Sequence, residues 1–91
     1  MFLSASFTRH RLKLVCIHAI MILLFSMIYF LTAKYKGSDK DKESFKNYES
    51  TLYFTTIAHF TIGFGDIVPD SEIMRRISMA HAFLAWGILY I

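Results

Sequence analysis

Six consecutive residues, Thr61-Ile62-Gly63-Phe64-Gly65-Asp66, carry the clearest chemical pattern in the chain. A dehydrated cation needs a shell of oxygens in place of its water. Several chains can supply that shell if each points successive backbone carbonyls at a common axis. In an extended strand, neighbouring carbonyls alternate sides. Turning them all one way requires alternation between right- and left-handed backbone, and glycine takes the left-handed form without steric cost. Gly63 and Gly65 stand where that alternation needs them. Ile62 and Phe64 fall between, so their side chains must point away from the axis into a packed cuff. Thr61 can add a hydroxyl oxygen below the lowest carbonyl, and Asp66 ends the strand. A Gly-x-Gly alone is only a turn signal. Here it follows an apolar helix-like segment, precedes Pro69 and lies between two hydrophobic stretches.

Those stretches are the elements that must position it. Residues 14–33 contain no Lys, Arg, Asp or Glu. As a helix they reach roughly 30 Å, the hydrocarbon thickness of a bilayer. A cleaved signal peptide is the rival reading. The apolar run is too long for a signal core, and Leu31-Thr32-Ala33 is a poor cleavage site. Tyr29, Phe30 and Tyr35 would lie near one interface, where amphipathic aromatics collect. Residues 73–91 form the second expected span, interrupted near its start by Arg75 and Arg76, which can snorkel to the interface. Trp86 and Tyr90 would lie at its other end, which leaves no room for a cytoplasmic domain. Between the spans, residues 51–60 are apolar with threonines and His59. A helix of that length is only about 15 Å long. It suits a re-entrant element buried in protein, capped by Ser50, with Glu49 at the positive end of its dipole. Residues 34–50 read as a polar loop with a turn at Gly37-Ser38-Asp39. Such a loop is either an outer turret that tunes ion concentration or binds blockers, or a solvated connection.

Composition limits the alternatives. A chain of 91 residues has room for one domain, and 55% of it is hydrophobic. A soluble domain of that size is hard to stabilise through its core alone, whereas an oligomer in a bilayer is not so limited. The net charge of +3 is modest, and no basic face with interleaved aromatics points to nucleic acid. Cys16, the only cysteine, excludes an intrachain disulfide and is expected to pack as a small hydrophobe. Residues 1–13 carry Arg9, His10, Arg11 and Lys13 beside Phe2, Leu3 and Phe7. They read either as a short interfacial helix or as a frayed tail. This tail has three Lys/Arg, and the region from Lys34 to Arg76 has seven. A positive-inside count would therefore put the central region in the cytoplasm.

The order of parts is span, loop, re-entrant helix, filter-like strand, span. It resembles the pore module of potassium channels, and most closely the miniature potassium channels of algal viruses. Leu52 to Pro69, LYFTTIAHFTIGFGDIVP, carries most of the likeness; Ile17-His18, Met27-Ile28-Tyr29 and Ala80-His81 add to it. The resemblance implies an all-α membrane protein with two transmembrane helices, a re-entrant pore helix and an extended selectivity filter, assembled as a homotetramer. It implies potassium as permeant ion, with no cofactor, coordinated by the carbonyls of Thr61, Ile62, Gly63 and Phe64 and the Thr61 hydroxyl. It places the protein among lipids of a viral or host membrane, multi-pass, with both termini cytoplasmic, against the charge count. Asp66 would brace the filter from behind. Many relatives use a pore-helix Trp to hold that Asp; here the matching region has Tyr53 and Phe54, and Phe54 cannot donate. Phe60 also departs from the Ser or Thr usual before the filter Thr.

Other residues carry weaker signals. His59 ends the re-entrant helix and reads either as a proton-sensitive support of the filter or as a packed residue. His18 and His81 lie within spans with no second ligand at metal spacing, so structural hydrogen bonds are expected of them. Phe83 and Trp86 share a helical face. If that face lines a pore, Phe83 forms an inner gate. Gly87 reads as a packing or bending point, and the Ile91 carboxylate would ring the inner mouth with charge. No nucleophile, base and orienter stand together, so an enzyme is the most distant reading. The closer rivals to a potassium pore are a poorly selective cation pore and a non-conducting hairpin that serves as an accessory or interaction protein.

Overall fold

The computed structural model describes residues 5–89, with side chains described from 8 to 88. Helix α1 runs unbroken from Ala5 to Lys36. No Gly or Pro lies in that interval, so nothing ends the helix early. Residues 5–13 are thus neither a separate interfacial helix nor a frayed tail; they are the first turns of α1. Leu12, Val15, Ile20, Leu23, Leu24 and Leu31 are exposed on it, while Ser26, Tyr29 and Ala33 are fully buried. Positions 26, 29 and 33 form one stripe. That stripe, with His18, Phe25 and Phe30 beside it, packs against the rest of the chain. A helix apolar on its remaining faces needs lipid or further protein around it.

Of the three following helices, one lies wholly where a loop was expected and a second begins inside it. Gly37 ends α1, donating its N–H to the Ala33 carbonyl at 3.2 Å. A Cβ on Gly37 would stand 2.7 Å from that same oxygen, so only glycine fits the close approach. Helix α2, Asp39–Ser44, is set by a capping box. The Asp41 N–H donates to Ser38 Oγ at 3.1 Å, and the Ser38 N–H donates to Asp41 Oδ2 at 3.2 Å. Helix α3, Tyr48–His59, begins three residues before the expected start. Its cap is Asn47 and not Ser50: the Ser50 N–H donates to Asn47 Oδ1 at 2.8 Å. Residues 34–50 are accordingly mostly helical, because side-chain caps supply two helix starts inside a polar stretch.

Helix α4 spans Glu72–Leu89. Ser71 starts it, accepting the Arg75 N–H on its carbonyl at 3.0 Å. The buried Asp41 carboxylate ties this start to α2. It accepts the Asp70 N–H at 2.7 Å and the Ser71 N–H at 3.0 Å. Burial pushes the Asp41 carboxyl up, but the bonds from Ser71, Asp70 and Ser38 outweigh it and hold it below the usual carboxylate range.

The core is small and aromatic: Tyr29, Ala33, Phe45, Phe54 and Met74. Tyr29 meets Phe54 edge-on at 5.2 Å, and Phe54 meets Phe45 edge-on at 5.2 Å. Among the described residues, one helix, Thr8–Lys36 within α1, is long and apolar enough to cross a membrane. In α4, Glu72, Arg75 and Arg76 occupy the first turns. They leave an uncharged run from Ile77 to Leu89, roughly 20 Å of helix.

Candidate functional site

The site begins where α3 stops. Phe60 is the last residue near helical geometry, with φ −91° and ψ 12°. The Ile62 N–H then donates back to the Ile57 carbonyl at 2.8 Å, and the Thr61 N–H to the Ala58 carbonyl at 3.1 Å. These two bonds define a Schellman cap, which needs a left-handed residue just past the helix. That residue is Thr61, at φ 59°. Glycine is usual there, and a β-branched residue at positive φ costs about 1–2 kcal/mol. The Thr61 hydroxyl donates to the Phe60 carbonyl at 2.6 Å. In donating, its oxygen keeps its own lone pairs free.

From the cap onward the left-handed form recurs at every second residue. Thr61, Gly63 and Gly65 have φ of 59°, 55° and 85°; Ile62 and Phe64 do not share the positive region. No atom lies within 4 Å of a Cβ built on Gly63 or Gly65, so conformation, not space, calls for glycine at both. Thr61 was not expected to join this alternation; the cap explains why it does. Ile62 and Phe64 are 55% and 69% exposed. The cuff expected around them is not made by this chain's own residues.

Behind this segment, the Tyr53 hydroxyl donates to Asp66 Oδ1 at 3.2 Å. Phe54, on the other side of α3, is buried against Tyr29 and Phe45. The two aromatics thus divide the work: one carries the donor, the other fills the core. Buried Thr51 and Thr55 stay satisfied by donating to carbonyls four residues back, at 3.0 and 2.7 Å.

His59, also buried, is the middle of a chain of side chains. Its Nε2 lies 2.7 Å from His18 Nδ1, and its Nδ1 lies 3.1 Å from His81 Nε2. His81 Nδ1 in turn lies 2.9 Å from the Tyr29 hydroxyl. Read from the sequence, these histidines were three separate residues; the fold makes them one group. The available signal was that His18 and Tyr29 are eleven apart on one helix, hence on one face. The arrangement is a chain and not a chelate, since His59 turns a different nitrogen to each neighbour. Among the described residues, no group of three or more His, Cys, Asp or Glu could hold a metal ion.

A protein-family model described as ion channel matches residues 17–91. The chain belongs to the ion channel family. Comparison with curated proteins and comparison with solved structures gave no match. The matched range takes in α1 from Ile17 onward, α2, α3, the Thr61–Asp66 segment and α4. Membership, together with the apolar α1, makes this a membrane protein of passive ion conduction and points away from an enzymatic role.

In this ion channel Phe60 is 54% exposed and stands edge-on to His59, ring centroids 5.2 Å apart. Phe83 is 80% exposed and Trp86 56%, sharing one outward face of α4. Gly87 has open space around it rather than a packed neighbour. Cys16 is exposed on α1, not packed within the chain as expected. Tyr90 and the Ile91 carboxylate lie outside the described residues, as do Phe2 and Leu3.

Proposed function

We propose that this ion channel is a potassium-selective pore of the miniature algal-virus type, built from four copies of the chain. The observation that carries the reading is the alternation of backbone hand at Thr61, Gly63 and Gly65, directly after the α3 terminus. Such alternation turns successive carbonyls toward one side, as a stack of carbonyl cages requires. The ion-coordinating groups are the carbonyls of Thr61, Ile62, Gly63 and Phe64 and the Thr61 hydroxyl. Each chain supplies a quarter of each cage, so a monomer is inert. The exposure of Ile62 and Phe64 supports the tetramer, because neighbouring copies would bury them. In this arrangement α1 and α4 both span the membrane and α3 is re-entrant. The negative end of α3 then faces the pore cavity and favours a cation there. Both termini are cytoplasmic, and Phe83 lies on the cavity side as an inner gate.

One observation favours a second reading, a cation pore of low selectivity. Asp66 is exposed and held to α3 by a single bond from Tyr53, itself partly exposed. A loosely braced filter discriminates less between ions of different radius.

A flux measurement tests the proposal. Vesicles carrying the purified tetramer and loaded with potassium are diluted into sodium. Selective conduction makes the interior negative, and barium abolishes the potential. No potential from inserted, tetrameric protein would contradict the reading; a weak, barium-insensitive one would favour the less selective pore.

A further inference from the structure

A second site lies at the other end of α1, where its uncharged run stops at Lys34. A cavity of about 280 Å³ opens there, lined by Phe30, Lys34, Lys42, Phe45 and Lys46. None of these residues belongs to the Thr61–Asp66 segment. Two elements build the cavity: α1 supplies Phe30 and Lys34, and α2 with the residues just after it supplies the other three. The aromatic walls are held in place. Phe45 is buried, edge-on to Phe54 and stacked on Tyr29. Phe30 rests against the Tyr48 ring, centroids 5.7 Å apart, and the Tyr48 hydroxyl is hydrogen-bonded to Ser26 Oγ. The three lysines are exposed.

The charge around this cavity is unbalanced. Among the described residues, Lys34 and Lys42 make no ion pair. Lys46 pairs with Glu43 at 3.2 Å, and both side chains are mostly exposed, so solvent screens the bond and a better anion can displace it. Nearby Asp41 is already occupied by the backbone N–H groups of Ser38, Asp70 and Ser71. Three ammonium groups over an aromatic floor suit an anion with an apolar continuation. Lysine holds phosphate as a point charge, without the two-pronged geometry that arginine imposes.

The continuation is on α1. Leu23, Met27, Phe30 and Lys34 are spaced by four, three and four residues, so they form one row along the helix. Leu23 and Met27 are exposed. From Leu23 to Lys34 the row is roughly 16 Å long. That is about half of a hydrocarbon core of about 30 Å, which is one leaflet. The cavity itself is at the small end of ligand sites, about 300–1,000 Å³, so it admits a headgroup and leaves acyl chains outside.

We infer that this cavity binds the phosphate of an anionic phospholipid, with Lys34, Lys42 and Lys46 around the headgroup and one acyl chain along Phe30, Met27 and Leu23. The site requires α1 in the bilayer and does not depend on the filter. A choline headgroup is disfavoured, because its cation meets the same three lysines. Free phosphate is held less well, because it gains nothing from the apolar row. A lipid seated here ties the end of α1 to the stretch that leads into α3.

Native mass spectrometry of the full chain, released from neutral detergent, tests the site. The probes are phosphatidylglycerol, phosphatidylcholine and inorganic phosphate. The wild type should retain one phosphatidylglycerol per chain and no phosphatidylcholine, and inorganic phosphate equimolar with the lipid should not displace it. Replacing Lys34, Lys42 and Lys46 together by Gln should weaken retention more than tenfold. Replacing Lys36 and Lys40 by Gln, two lysines outside the cavity, should leave retention as it was. Lys42→Gln alone, a single change at an exposed position, should weaken it about fivefold. Equal retention of both lipids, or equal loss in the cavity and control variants, would overturn the inference. Displacement by equimolar inorganic phosphate would overturn the lipid as the source of the anion. A wild type that retains no lipid, with an assembly that loses copies when the three lysines are replaced, would make the cavity an interface between chains instead.

Discussion

The hydroxyl of Tyr53 donates to Asp66 Oδ1 at 3.2 Å, linking the C-terminal end of the Thr61–Asp66 segment to α3 thirteen residues earlier. Because both groups are solvent-accessible in the single chain, the bond orients more than it stabilises. Tyr53→Phe should therefore leave the helical content unchanged by circular dichroism. Its potassium-over-sodium permeability ratio should drop several-fold in bilayer recordings. An unchanged ratio would mean that Asp66 is held by something other than Tyr53.

Gly65 tests the alternation of backbone hand. At φ 85° an alanine is strained by about 1–2 kcal/mol, and in the proposed tetramer each of the four copies would carry that strain. No neighbouring atom blocks the new methyl within the chain, so the effect is one of backbone preference. Gly65→Ala should abolish selective current while the protein still inserts. Normal selectivity in this variant would remove the filter assignment.

Asp41 sits outside the membrane-spanning segments and fastens α2 to the start of α4. Its carboxyl is held below the usual range, so its contribution to stability is complete above the unfolded value of about 4. That contribution is lost as pH falls through the lower, folded value. Asp41→Asn cannot accept all of these bonds and should cost about 2 kcal/mol at neutral pH. Thermal unfolding followed against pH should show wild type and variant converging in acid. A constant gap down to about pH 2 would contradict the linkage.

Phe83, the most exposed large hydrophobic side chain among the described residues of α4, tests the inner gate. If it lines the cavity, Phe83→Ala should raise open probability several-fold in single-channel records without moving the reversal potential. If it packs against another copy, the tetramer should weaken on native gels and open probability should stay as it was.

What the sequence revealed depended on how local each cause was. The glycine spacing at 63 and 65 was legible because a positive φ is a property of single residues. The apolar stretch of α1 was legible because charge is absent from it. Helix α2 was not: its six residues depend on the Ser38–Asp41 box and on Asp41 reaching backbone thirty residues away. The start of α3 was misplaced because Asn47 and Ser50 are both good caps, and only geometry chooses between them. The left-handed Thr61 was hidden, since nothing about threonine announces a Schellman cap. The histidine line was hidden because it joins three segments that only packing brings together.

The most direct test of the central claim is the reversal potential of the reconstituted tetramer with potassium on one side of a planar bilayer and sodium on the other. The account predicts a large displacement toward the potassium equilibrium potential, with block by barium. A current that reverses near zero would contradict it.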